Sequence, residues 1–494
     1  MTVTALPLGL SVLLVPFVVS VLLLVIGGRL RPRLLAYISA ASLGVPLVFT
    51  SAVMALYRSY SATLLAVGGL GSFMVVINGL NWPVLLGIMA VTMAIAIYSV
   101  PYMKRRFEEL GKEHWGTYFF LYTFFSASMV GIVESNNFIM FYLFLELSLI
   151  SSFLLIAFYG YGDRGRVSFI YLIWTHLGAF LFLLGGFIYG MILGTFNFYP
   201  VPPNLSSIFP YVYVIIALIL LGLFIKMAIF GVHVWLPYAH AEAPTPISAL
   251  LSPALIGIGG YAIIRIPYIL FFSYMIKLQW ALIVLALVTI IYSGLLTFHQ
   301  KDLKRLLAYS SIAQMGYMLL GIASFNPLGI VGAILQFYAH AVGKSLLFSS
   351  SGAIITENNG LRDITKMGGM AKEMPMTTSM AMLGFMDISG LPPTVGFFSK
   401  LFILLGVGSF LVNSGVYGFI MLIFLVVGFG ITPAYSFTAM KRVFFGPSKK
   451  GFKDAGLMMM APLIFIAILG IITFIFPGLL ITPLYLYVHS LMGG

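Results

Sequence analysis

The sequence predicts an all-α polytopic membrane protein of about fourteen transmembrane helices. Two inverted five-helix repeats and discontinuous seventh and twelfth helices are expected within it. Three observations carry this reading. The 494 residues are 61% hydrophobic and only 8% charged, whereas a soluble domain holds about 25% charged residues. Apolar runs long enough to cross a hydrocarbon core of about 30 Å recur along the chain. The basic residues collect in alternate loops between those runs, the pattern that sets membrane topology.

In order, the runs fall near 5–27, 34–57, 80–101, 117–133, 137–160, 167–194, 211–243, 247–273, 279–298, 303–323, 328–356, 376–410, 414–440 and 458–487. The first has no basic segment before it and no small-residue cleavage site, so it reads as a membrane helix and not a signal peptide. The run at 117–133 is short. Loops at 28–33, 102–116, 161–166, 299–305, 357–375 and 441–453 hold twenty of the 26 Lys and Arg, among them Lys104, Lys304, Lys449 and Lys450. The other side holds only Arg58 and Lys277, and Lys226, Arg265, Lys344 and Lys400 fall inside spans. Fourteen crossings put every basic loop on one side, and the positive-inside rule then puts both termini outside. The net charge of +13 is thus a topology signal, and nucleic acid is not an expected partner. With no Cys in the chain, disulfides, thiolate metal sites and cysteine nucleophiles are excluded.

Two spans are interrupted. As one straight helix, 376–410 would be roughly 52 Å long. Its middle reads SGLPPTVGF, with Gly390, Pro392, Pro393 and Gly396 as breakers. The span at 211–243 contains Pro237, and Pro244 and Pro246 follow it. Counted as the seventh and twelfth helices, the two lie an odd interval apart, so the units around them have opposite orientations, as in an inverted-topology repeat. The expected division is an N-terminal three-helix segment (1–101), a first repeat (117–273), a second repeat (279–440) and a C-terminal helix (458–487).

The ionisable residues inside these spans are the candidate site, because charge at membrane depth is costly and normally faces a polar interior. Lys226 stands in bare apolar sequence, too deep to snorkel to the interface. His233 follows seven residues later, near the same helical face, and His240 lies beyond Pro237. Glu146 is the one charge in FYLFLELSLISSFLL. It reads as a proton carrier or as the partner of Lys226, against the plainer role of a hydrogen-bonded structural carboxyl. His340 and Lys344 are four residues apart, on one helical face. Asp387 precedes the second break and Lys400 follows it. Helix rise puts Asp387 and Lys344 at similar depth, which suggests a pair. The competing role for Asp387 is to cap backbone groups freed by the break. Arg265 and the isolated His176 are read as structural. No metal-ligand cluster, phosphate loop, hydrolytic triad or haem motif is present in the sequence. No cofactor and no catalytic or redox centre are therefore expected.

Together, Glu146, Lys226 with WLPYAHAEAPTPISALL, KRLLAYSSIAQMGYMLLG, His340 with Lys344, and SGLPPTVGFFSK resemble the antiporter-like subunits of ion-translocating membrane complexes. That family covers the L, M and N subunits of NADH:quinone oxidoreductase (complex I), the A and D subunits of Mrp sodium/proton antiporters, and equivalents in membrane-bound hydrogenases and related archaeal complexes. The resemblance covers about 75–450. It implies that Glu146 is the glutamate of the fifth helix, Lys226 its lysine partner on the broken seventh, Lys344 the lysine of the eleventh, and Lys400 the terminal lysine on the broken twelfth. It implies movement of H+, or exchange of H+ for Na+, in a prokaryotic cell membrane. The implied partners are other membrane subunits and, in some complexes, a peripheral iron–sulfur arm. Two departures stand out. Gly257 occupies a position where the family often has lysine or histidine, which leaves His240 or water to bridge the centre. Lys400 stands where the M subunit carries glutamate, which favours a D-type Mrp subunit or its hydrogenase-like or sulfur-reducing counterpart. The alternatives are a pumping subunit of a quinone-linked NADH dehydrogenase and a purely structural anchor. The second would need no set of charges at membrane depth.

Overall fold

The computed structural model describes residues 6–445 and 451–492, with side chains from residue 12; Lys449 and Lys450 lie outside the described residues. Two helices open the chain, α1 (Leu6–Ile26) and α2 (Pro32–Leu56). A hairpin follows, β1 (Tyr60–Val67) and β2 (Gly71–Ile77), then α3 (Trp82–Leu110). The stretch expected as the first repeat holds α4 (Trp115–Glu134), α5 (Phe138–Tyr159), α6 (Arg164–Leu193), the split pair α7 (Val212–Met227) and α8 (Trp235–Glu242), and a span built from α9 (Thr245–Leu250) and α10 (Gly257–Ile263). Wide, π-type turns at Leu251–Leu255 and Ile264–Tyr268 flank α10. After the short α11 (Phe272–Met275) come α12 (Gln279–His299), α13 (Leu303–Ile322), α14 (Pro327–Glu357), the split pair α15 (Pro375–Ser389) and α16 (Gly396–Val412), and α17 (Gly415–Val443). The chain closes with α18 (Leu457–Ile475) and α19 (Gly478–Met492). This gives fourteen crossings with both expected breaks.

Helix starts are written locally. Asn137 accepts from Ile139 N at 2.8 Å to open α5. Asp302 accepts from Arg305 N at 2.9 Å to open α13. Asn326 accepts from Leu328 N at 2.9 Å, just ahead of Pro327 at the first turn of α14. Each side chain satisfies a backbone donor that has no partner within the helix.

The basic loops meet at one end of the molecule. Arg105 donates to Thr356 O and Arg106 to Gly160 O. Arg362 pairs with Asp302 at 2.8 Å, and Arg442 donates to Phe298 O at 3.3 Å. The opposite end carries the hairpin, strapped by Asn136 to Met74 N at 2.7 Å and by Asn197 to Ser72 N at 3.1 Å. Its sequence signal is two β-prone runs around VGGLG, inside a stretch that hydropathy passes over as a connection.

The C-terminal span differs from expectation. The single helix expected at 458–487 is two. Phe476 leaves helical geometry (φ −115°, ψ 64°) and Pro477 cannot continue the hydrogen-bond ladder. The last crossing is therefore α18. The second piece, α19, packs on the end opposite the basic loops: Trp82 Nε1 donates to Leu479 O at 3.0 Å and Arg265 Nη1 to Tyr487 Oη at 3.2 Å.

The centre of the fold is α14. Every residue in its most apolar stretch is buried, and it packs against α3, α9, α13, α15, α16, α18 and α19. By contrast, α17 is largely uncovered.

Candidate functional site

The two helix breaks hold the first and last lysines. Lys226 sits in the final turn of α7, which ends at Ala228 in the left-handed region (φ 54°). A non-glycine residue rarely adopts that conformation, so the surroundings must enforce it. The indole of Trp235, at the start of α8, donates to Ile225 O at 3.0 Å and satisfies a carbonyl freed by the break. Lys226 is 4% exposed and has no hydrogen-bond partner among the described residues. Glu146 is the carboxylate whose charge bears on it, but the two form no ion pair within 4.0 Å among the described residues. Instead the Glu146 carboxylate meets His176 Nδ1 at 3.1 and 3.2 Å. The His176 side chain is 54% exposed, so this pair opens on the outer surface between α5 and α6. His176, read as structural from the sequence, is thus bonded to the principal carboxylate. Its thirty-residue separation from Glu146 hid the contact.

The central stretch is carried by His240, His340 and Lys344. The His240 ring stacks on Phe348 at 5.0 Å between centroids. Neither ring nitrogen of His240 or His340 has a protein hydrogen-bond partner. Lys344 Nζ donates to Leu307 O at 2.9 Å and to Ser310 Oγ, both on α13. His233 lies off this line. It packs against Phe230 and Tyr292, with centroids 6.1 and 5.4 Å away, on the α12 side of the break.

Gly257 has a steric explanation. A Cβ at this position would lie 2.5 Å from Phe337 Cδ2 and 2.7 Å from Cε2. The Phe337 ring occupies the space that a lysine or histidine side chain would enter.

The second break holds Lys400. Gly390 ends α15 at φ 75°, and a Cβ there would meet Lys400 Cδ at 2.5 Å. Only glycine both takes this turn and lets the lysine stem pass over it. Lys400 Nζ donates to Gln314 Oε1 at 3.0 Å and lies 3.5 Å from the Tyr317 ring centroid. Gln314 Oε1 also accepts from Gln336 Nε2 at 2.9 Å, and Gln314 Nε2 donates to Tyr435 Oη at 3.1 Å. Ser399 Oγ donates to Gln336 Oε1 at 2.7 Å. This buried amide network joins α13, α14, α16 and α17. Sequence reading by charge passed over it because amides carry none, although Gln314 lies in the quoted SSIAQMG segment.

Asp387 takes the capping role. Its Oδ1 accepts from Gly396 N, the first residue of α16, at 2.8 Å. Its Oδ2 lies against Gly343 and has no hydrogen-bond partner. Lys344 points away to α13, so the expected pair with Asp387 is not made. Lys400 is the cation that bears on Asp387.

Lys304 is also displaced from its expected place. It lies in a basic loop by sequence, yet it is 1% exposed, and its Nζ donates to Ala243 O and, at 3.4 Å, to Ala241 O. These are the last carbonyls of α8, where a cation complements the helix dipole.

Among the described residues there is no group of three or more His, Cys, Asp or Glu able to hold a metal. The arrangement is a set of titratable groups, the partly buried Glu146 and the buried Lys226, His240, His340, Lys344 and Lys400.

The chain as a whole resembles known proteins. A family model described as NADH:quinone oxidoreductase/Mrp antiporter, transmembrane, matches residues 135–432. The chain is 36% identical over 332 residues to F(420)H(2) dehydrogenase subunit M of Methanosarcina mazei, covering 65% of each protein. It is 31% identical over 387 residues to NAD(P)H-quinone oxidoreductase chain 4 2 of Microcystis aeruginosa, covering 76% of this chain and 66% of that one. The chain spans just under two thirds of the length of these curated relatives. Its fold is similar to a chain of the Mrp complex from Dietzia sp. DQ12-45-1b (TM-score 0.84, 22% identity, 98% and 97% of the two chains). It is also similar to a chain of respiratory complex I from Thermus thermophilus (TM-score 0.83, 22% identity, 98% and 99%).

Proposed function

The chain belongs to the NADH:quinone oxidoreductase/Mrp antiporter family of transmembrane subunits, and from that premise we propose that it carries protons across a prokaryotic cell membrane as one subunit of a larger complex. The observation that carries this reading is the set of buried lysines and histidines from Lys226 to Lys400, with a lysine at each helix break. A fixed fold would gain nothing from four ionisable groups at membrane depth, where each is costly. The lysines can exist with or without their proton.

The basic end faces the cytoplasm in this reading, and both termini lie on the other side. Other membrane subunits cover the α5–α6 face. A half-exposed His176 bonded to Glu146 is poorly suited to lipid and well suited to a polar group on a neighbouring subunit. The relatives' names include quinone- and F420H2-linked oxidoreductases, whereas the solved structures include an Mrp complex. Lys400 is the residue that favours an Mrp-like or hydrogenase-like setting over the M type.

The test is proton flux into sealed vesicles carrying the intact complex, wild type against Lys226→Ala and Lys400→Ala. Loss of flux with the complex still assembled supports transport. Undiminished flux in both variants would leave the structural-anchor reading.

A further inference from the structure

A second set of buried polar groups lies at the end opposite the basic loops, outside the series just described. Glu134 closes α4. It is 2% exposed, and it has no hydrogen bond or ion pair with any described residue. Arg265 is also 2% exposed. One nitrogen, Nη1, donates to Tyr487 Oη at 3.2 Å, and the guanidinium lies 4.6 Å over the Tyr199 ring. Its Nε and Nη2 are buried and have no protein acceptor.

Two ties bring these residues to one place. Tyr261, one turn before Arg265, donates to Val133 O at 2.9 Å, on the residue next to Glu134. Tyr199, beneath the guanidinium, is bonded on its other side to Asn136: its N–H donates to Asn136 O at 3.2 Å, and Asn136 Nδ2 donates to Tyr199 O at 3.0 Å. Arg265 is therefore held against the Val133–Asn136 turn that carries Glu134. Asn81 Nδ2 reaches Val133 O at 3.5 Å, and Asn78 beside it has an idle, buried Nδ2. One cluster thus holds an unpaired carboxylate, two idle guanidinium nitrogens and an idle amide nitrogen. Glu134 and Arg265 make no direct pair, and the Tyr261–Val133 hydrogen bond ties together the two segments that carry them. Polar groups left this way are stable where water bridges them.

We propose that Glu134, Tyr261 and Arg265 form a hydrated proton-release port of the first five-helix unit, with Glu134 as its carrier. The inference rests on the proton-carrying reading above. The span holding α9 and α10 leads from the central histidines to this cluster, with Arg265 about 30 Å of rise beyond Thr245. A proton arriving through water forms an O–H bond on a Glu134 carboxylate oxygen. It leaves when that bond breaks in favour of a water on the far side. Ionised Glu134 balances Arg265 through the bridging water, and the protonated form leaves Arg265 unbalanced, so the site passes a proton on instead of storing it.

The chain has no cysteine, which makes the test clean. In sealed vesicles carrying the intact complex, Glu134→Cys should react with a membrane-impermeant methanethiosulfonate applied from the side opposite the basic loops, and not from the basic side. The anionic reagent should react about tenfold faster than the cationic one, and Arg265→Gln should erase that ratio. Glu134→Gln should slow proton flux about tenfold or more, with Glu134→Asp recovering most of it. An unreactive Glu134→Cys, while Asn204→Cys reacts from the same side, would mean that the cluster is dry and overturn the port. Wild-type flux in Glu134→Gln would overturn its role as carrier. A wild-type complex that moves no protons would instead sink the transport reading itself, and this port with it.

Discussion

Lys400 and Gln314 are bound to each other across the second half of the protein: the ammonium donates to the amide oxygen at 3.0 Å while its charge rests 3.5 Å from the Tyr317 ring. The lysine therefore has a neutral acceptor and an aromatic face, and no carboxylate within ion-pair distance among the described residues. This leaves its charge free to respond to the rest of the series. A single change, Gln314→Leu, would strip the ammonium and Gln336 Nε2 of their acceptor and Tyr435 Oη of a donor. The expected cost is about 1–3 kcal/mol for the bond to the charged group, with proton flux lost before assembly. Thermal unfolding of the purified complex and flux in vesicles read the two separately. Full flux in Gln314→Leu would remove the amide from the mechanism.

Glu146→Gln and Lys226→Ala should each abolish most proton flux while the complex still assembles. Moving one charge through 100 mV involves about 2.3 kcal/mol, so a working series must switch by energies of that order. His176→Ala should act in the same direction but more weakly, because it leaves the Glu146 carboxyl in place. Wild-type flux in both principal variants would exclude the first break from the path.

Gly257 offers a steric test. Gly257→Ala should destabilise the protein by about 1–3 kcal/mol through overpacking against Phe337, and the Phe337→Leu background should recover much of that loss. If Gly257→Ala alone leaves the unfolding temperature unchanged, the ring is not what confines this position.

Asp387→Asn keeps an oxygen for the Gly396 N–H and should leave assembly intact. Asp387→Ala removes the cap and should cost about 0.5–2 kcal/mol, the usual range for a lost N-cap. Equal stability in the two variants, measured by thermal unfolding, would count against the capping role.

Topology can be read with the same thiol chemistry. Lys104→Cys should be modified only from the cytoplasmic side and Asn204→Cys only from the other. Modification of both from one side would contradict the fourteen-crossing arrangement.

Much of this was legible before any coordinates. The cost of charge in hydrocarbon is a property of each residue in its own run, so the spans, the basic loops and the outlying Glu146, Lys226, Lys344 and Lys400 could be read from local sequence. Proline and glycine act on their own backbone, so both breaks could be read as well. Which groups meet is a different matter, because it depends on packing between helices far apart in the chain. That packing turned Lys344 to Ser310 and Leu307 instead of Asp387. It gave Glu146 to His176, buried Lys304 under α8 and filled the Gly257 position with Phe337. It also set Arg265 beside the turn of Glu134, a carboxylate at a helix end that no periodicity singled out. Sequence alone located the charges because lipid prices them one by one; tertiary structure chose their partners because a hydrogen bond needs two groups within about 3 Å.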